Sequence, residues 1–143
     1  MITKNEIESA IVSVLSQLDD VVAKREIEED ILTAPINTVF VKVRSYQFPN
    51  DLTLENLFIS KNQLAIINIQ IRIVYRSIKE KNNISEFEDK VINELVGLKL
   101  DIENYKGSDL ILMPFQLNET MPLSQELKQS VNIFRIMTNL DFN

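Results

Sequence analysis

Residues 64–76 read LAIINIQIRIVYR, and their alternation decides the fold. Ala65, Ile67, Ile69, Ile71, Ile73 and Tyr75 fall on one side, with Asn68, Gln70, Arg72, Val74 and Arg76 on the other. Side chains of an extended chain point to opposite faces with period two, so this stretch predicts a long β-strand that buries its isoleucines and turns its polar face to water. Upstream, TVFVKVRS at 38–45 repeats the pattern with Val39, Val41 and Val43 against Phe40, Lys42 and Arg44. β-Branched residues on one face fit a half-buried strand.

Working outward, Ile7, Ala10, Ile11, Val14, Leu15 and Leu18 recur at three and four residues and predict an amphipathic helix over about 4–18. Thr3 and Glu6 form a capping box in front of it. Ile84, Phe87, Val91, Leu95 and Leu98 predict a second helix over 84–98, capped by Ser85 and Glu88 and ending near Gly97. Leu110–Met113, stopped by Pro114, reads as a short strand, and Val131–Phe142 as a closing one. Val21-Val22-Ala23 opens a short connection, and the acidic run Glu26, Glu28, Glu29 and Asp30 leads to Ile31-Leu32 and the stop at Pro35, a stretch with room for a short strand or a helical turn. With the two long strands adjacent in sequence, the expectation is an α+β fold: a mainly antiparallel four-stranded sheet packed on one face by two amphipathic helices, in a single domain over 1–143.

Composition removes whole classes of chemistry. The 143 residues contain no cysteine and no histidine, so there is no disulfide, thiolate nucleophile, imidazole base or the commonest metal ligand. The two glycines, Gly97 and Gly107, cannot write a P-loop or a dinucleotide turn. No apolar run reaches the roughly 20 residues of a membrane helix, and the opening Met1-Ile2-Thr3-Lys4-Asn5-Glu6 has no export-leader pattern, so the expectation is a cytoplasmic protein without membrane contact. The net charge of −6 repels a phosphate backbone, and the basic group Arg72, Arg76, Lys79 and Lys81 is interrupted by Glu80. No specific nucleic-acid binding is expected.

An enzyme would then need paired carboxylates, a lysine base or carboxylate-bound magnesium. Asp19-Asp20 follows the first helix and Glu28-Glu29-Asp30 lies in a polar connection, both ordinary places for solvated acids. Asp51 and Glu55 have no calcium-loop pattern around them. The reading is therefore not an enzyme, with no catalytic, metal or cofactor-binding residue.

Two connections exceed what strand reversal needs. Residues 46–63 carry Tyr46, Phe48, Leu52, Leu54, Leu57, Phe58 and Ile59; residues 114–129 carry Phe115, Leu117, Met121, Leu123 and Leu127. That much apolar surface either folds onto the sheet's second face or meets a neighbour. Tyr46, Phe48, Leu52, Leu54, Leu57, Phe58 and Ile59, with Arg72 and Arg76, are the candidate interface. Between copies of the chain, Asn68, Gln70 and Arg72 would lie along an outward face, with Arg72 and Arg76 meeting an acidic stretch such as Glu26 to Asp30 of the next copy.

The opening helix behind Met-Ile-Thr, Pro35 ahead of Val39-Phe40-Val41-Lys42-Val43-Arg44, the long loop, the strand Ile66 to Arg76, a helix and the closing Asn132-Ile133-Phe134-Arg135-Ile136-Met137-Thr138 together resemble the small tail-terminator, or tail-completion, proteins of tailed phages and prophages, especially the Mu-like contractile type. The resemblance covers nearly the whole chain through element order and hydrophobic pattern. It implies a structural protein forming a homohexameric ring that ends tail-tube growth and joins the head. Tail-tube, sheath or head-completion proteins would be its partners, DNA would pass through the ring, and the protein would be cytoplasmic during assembly and then part of the virion tail. Such a family has no catalytic motif to carry over. The alternatives are a neck or connector component of the same particle, a bacterial dimeric adaptor or regulatory domain, or a carboxylate-based metal hydrolase.

Overall fold

Isoleucine every second residue builds the strand expected of it, and that strand organises the molecule. The structure, a computed structural model, describes residues 2–26, 38–48, 62–76, 81–103, 105, 107, 109–122 and 127–141. In chain order these form α1 (Lys4–Leu15), β1 (Val22–Arg25), β2 (Thr38–Gln47), β3 (Asn62–Arg76), α2 (Lys81–Leu95), β4 (Lys99–Leu100), β5 (Leu110–Ile111), β6 (Met113–Pro122) and β7 (Leu127–Asp141).

Five of the strands share one sheet in the order β1-β2-β3-β7-β6, and β4 and β5 make a separate two-stranded piece. β3 is central. It pairs antiparallel with β2 on one side and, over all of its length, with β7 on the other, from Asn62 opposite Asp141 to Arg76 opposite Leu127. β6 pairs antiparallel with β7, and β1 runs parallel to β2. The expected four-stranded, mainly antiparallel sheet is thus corrected to a five-stranded mixed sheet with a two-stranded accessory. The additional strands are the ones periodicity hides: β1 is four residues long, and β6 occupies most of the 114–129 stretch expected to be a connection.

The first face of the sheet is the core. Ile67, Ile69, Ile71 and Ile73 of β3 are fully buried with Val39 and Val41 of β2, Phe134 and Ile136 of β7, Ile7, Ile11 and Leu15 of α1, and Val91 and Leu95 of α2. Removing four isoleucine side chains from water contributes roughly 6–12 kcal/mol before conformational entropy is subtracted. α1 starts with the expected capping box, Thr3 accepting from the Glu6 N–H and Glu6 accepting from the Thr3 N–H. It stops at Leu15 and not Leu18. α2 begins at Lys81, so Ser85 lies inside the helix and is not its cap. Past its end, Gly97 has φ +75°, a backbone conformation open to glycine at no steric cost, and its N–H donates to Leu112 O at 2.8 Å.

One buried carboxylate locks α1 to the sheet. The register of β2 shifts between Val43 and Ser45, and the Val43 N–H donates to Glu8 Oε2 at 2.9 Å. Glu8 Oε1 accepts from Arg25 of β1 at 3.0 Å, so a single side chain satisfies the bulge and neutralises a guanidinium. Beside it the Tyr46 hydroxyl is enclosed without a hydrogen-bond partner, and burial, with Glu8 and Glu6 nearby, raises its pKa.

Candidate interface at a bulged sheet edge

The second face of the sheet is not the open polar surface that alternation predicts. Asn68 and Gln70 are each only 7% exposed, and Phe40 and Val74 are fully buried on the same side. Arg72 is committed within its own chain: its Nε lies 2.9 Å from Glu26 Oε1, at an angle too poor for a hydrogen bond, so the contact is an ion pair. Gln70 Nε2 donates to the same oxygen at 3.2 Å and Lys42 Nζ lies 3.7 Å from the other. The Glu26 side chain is 4% exposed, and three partners compensate its charge. The expectation that Arg72 and a stretch including Glu26 meet across two copies is corrected: these two meet inside one copy. They do so because β1 brings Glu26 beside β2, where its N–H donates to Val41 O.

Of the other candidate interface residues, Leu52, Leu54, Leu57, Phe58 and Ile59 lie outside the described residues, as do Asp51, Glu55, Glu28, Glu29 and Asp30. Arg76 lies in β3, and its side chain is likewise outside what is described. Tyr46 is half-buried against the core and Phe48 is exposed just past β2.

The exposed apolar side chains gather elsewhere, on β6 and β7. Met113, Phe115 and Leu117 of β6 and Met137 of β7 all stand out to solvent, Phe115 being 55% exposed. β6 is an edge strand broken by two register shifts against β7, one between Pro114 and Gln116 and one between Gln116 and Glu119. The first makes Phe115 an extra residue, and a bulge of this kind re-aims its side chain. Phe115 turns onto the face of Arg135, whose guanidinium carbon lies 3.4 Å from its ring centroid. Arg135 Nε donates to Asn68 Oδ1 at 2.9 Å, and Asn68 Nδ2 donates to Ser45 Oγ at 3.1 Å. The cation is therefore fixed from below by an amide and from the side by an aromatic ring.

The second bulge is held by a buried asparagine. Asn118 has φ +61°, which asparagine tolerates better than most residues, and its N–H donates to Asn132 Oδ1 at 2.8 Å. Asn132 Nδ2 reaches Ile71 O at 3.2 Å and Ser130 Oγ at 3.3 Å. An amide on the core side thus fixes the shape of the exposed edge. Pro114, Pro122 and the two bulges spoil a regular row of backbone donors, which is how sheet edges avoid adding foreign strands. What remains for recognition is side-chain surface: a fixed cation rimmed by methionine and phenylalanine.

Sequence reading grouped Phe115 and Leu117 with a long connection and passed over Arg135. The available signal was the alternation Met113-Phe115-Leu117, masked by Pro114.

Among the described residues no group of three or more acidic side chains converges as a metal ion would need, and no helix is long and apolar enough to cross a membrane. No protein-family model and no curated protein matches the chain. The fold is similar to that of a chain from a solved structure described as the virion of a native gene transfer agent particle, at a TM-score of 0.61 and 12% sequence identity, covering 95% of this chain and 96% of that one.

Proposed function

We propose that this chain is a structural, non-enzymatic component of a virion-like particle, acting as a tail terminator: a homohexameric ring that ends tail-tube growth and presents a surface for head joining. The observation that carries the reading is the fold likeness to a virion chain over nearly the full length of both proteins. The bulged edge supports it, because apolar side chains held in place around a fixed arginine serve protein contact and offer no reactive group. Tail-tube, sheath or head-completion proteins are the partners on this reading, and DNA passes through the ring without specific binding. An acidic protein suits that passage, since a repulsive lumen lets a duplex slide.

Native mass spectrometry with negative-stain imaging tests the proposal directly. Six copies in a ring that binds the end of purified tail tubes is the expected result. A stable dimer with no affinity for tubes would instead fit an adaptor and would end the terminator reading.

A further inference from the structure

We infer that Arg135, with Met113, Phe115 and Met137 around it, is the socket for the acidic outer face of α2 of a second copy; the inference rests on the ring reading. Among the described residues the socket has charge but no counter-charge. Arg135 is held by Asn68 and Phe115, and no carboxylate among the described residues pairs with it, whereas Arg25 and Arg72 both have partners in their own chain. A guanidinium fixed in an apolar rim is the kind of group that dominates a protein interface once a partner carboxylate removes its water.

The chain also carries the complement. On α2, Glu86, Asp89 and Glu94 are exposed and without ion pairs among the described residues, and Val96, directly after the helix, is an exposed apolar side chain. Among the described side chains the cation of this face is Lys90, which donates to Asp19 O at 2.6 Å. α2 packs its other side, through Val91, Ile92 and Leu95, into the core on the first face of the sheet. Arg135 alternates with the core residues Phe134 and Ile136 and stands with Asn68 on the second face, so α2 cannot reach it within one copy. A copy-to-copy contact resolves both surfaces, and the two patches differ, as a closed ring requires of each subunit. For a protein of net charge −6, a contact that places carboxylates on an arginine also offsets the repulsion between like copies.

Sedimentation velocity across a concentration series tests this on the wild type, Arg135→Glu, Arg135→Lys, the triple variant Glu86→Lys/Asp89→Lys/Glu94→Lys, and the combination of Arg135→Glu with that triple variant. Arg135→Glu and the triple variant should each weaken assembly at least tenfold, Arg135→Lys should fall between because it loses the planar stack, and the combination should regain most of the loss. Added salt should weaken the contact in the wild type and in the combination, and should not weaken it further in Arg135→Glu or the triple variant alone. The α2 substitutions lie on a solvent face, so unchanged far-ultraviolet circular dichroism separates lost assembly from lost folding. A wild type that assembles while Arg135→Glu or the triple variant assembles equally well overturns the socket and leaves the ring standing. A wild type that stays monomeric at every concentration overturns both.

Discussion

Asn132→Ala probes whether the exposed edge is shaped from within. The wild-type amide accepts from the Asn118 N–H at 2.8 Å and donates to Ile71 O at 3.2 Å, with a longer contact to Ser130 Oγ. Two hydrogen bonds to main-chain groups contribute about 1 kcal/mol each, and the void left in a fully buried position adds some tenths more. The loss should therefore be about 2–3 kcal/mol. With a urea m-value of about 2 kcal/mol/M, the unfolding midpoint should fall by about 1–1.5 M at unchanged slope. Hydrogen exchange supplies the local readout: the Asn118 amide should lose protection beyond what the global change explains, since only it loses its acceptor on the edge. Asn118→Gly is the control. Glycine adopts φ +61° freely and keeps its N–H, so stability should be unchanged or slightly higher. A loss below about 0.5 kcal/mol for Asn132→Ala, well under one hydrogen bond, would refute the argument that this amide holds the bulge.

Other expectations follow from single positions. Gly97→Ala should cost about 1 kcal/mol in thermal or urea unfolding, from backbone strain alone, because φ is +75° and an added methyl group meets nothing within 4 Å. Tyr46→Phe should leave stability unchanged or raise it by up to about 1 kcal/mol, since it deletes a buried hydroxyl without a partner. Burial, with Asp89 adding and the Ser130 hydrogen bond opposing, raises the Glu88 pKa. A raised acid pKa favours the fold when protonated: that stability is complete below the ordinary carboxylate value and is lost as pH rises through the raised one. Glu88→Gln should flatten this part of the pH–stability curve, measured by urea midpoints from pH 4 to 7, and a curve identical to wild type would contradict it.

The parts of the fold that depend on one segment at a time were legible in the sequence. Ile67 to Ile73 alternate because a two-residue period is what an extended chain buries, and Ile7, Ile11 and Leu15 recur as a helix face must. What was hidden depends on distant segments meeting. Val22–Arg25 is too short to show a period, and only its parallel pairing with β2 makes it a strand. Pro114 and the two bulges break the alternation of β6, so an edge strand reads as a loop. Arg72 looked like an exposed cation because nothing local shows that Glu26, 46 positions earlier, is delivered to it by β1. Arg135 was passed over inside an apolar run for the same reason: its partners, Asn68 and Phe115, belong to two other strands.

The pairing of β3 with β7 has a consequence for synthesis of the chain. The pairs of this ladder join residues between 51 positions apart, Arg76 with Leu127, and 79 positions apart, Asn62 with Asp141. When Arg76 has been made, the isoleucine-rich strand can pair on its β2 side, but its other side waits for residue 141, 65 residues later. At about 5–20 residues per second this interval lasts roughly 3–13 s. Throughout it this isoleucine-rich strand has an unpaired edge, the condition in which nascent chains join one another. Nascent chains halted between residues 80 and 125 should accordingly be the ones that most need a chaperone.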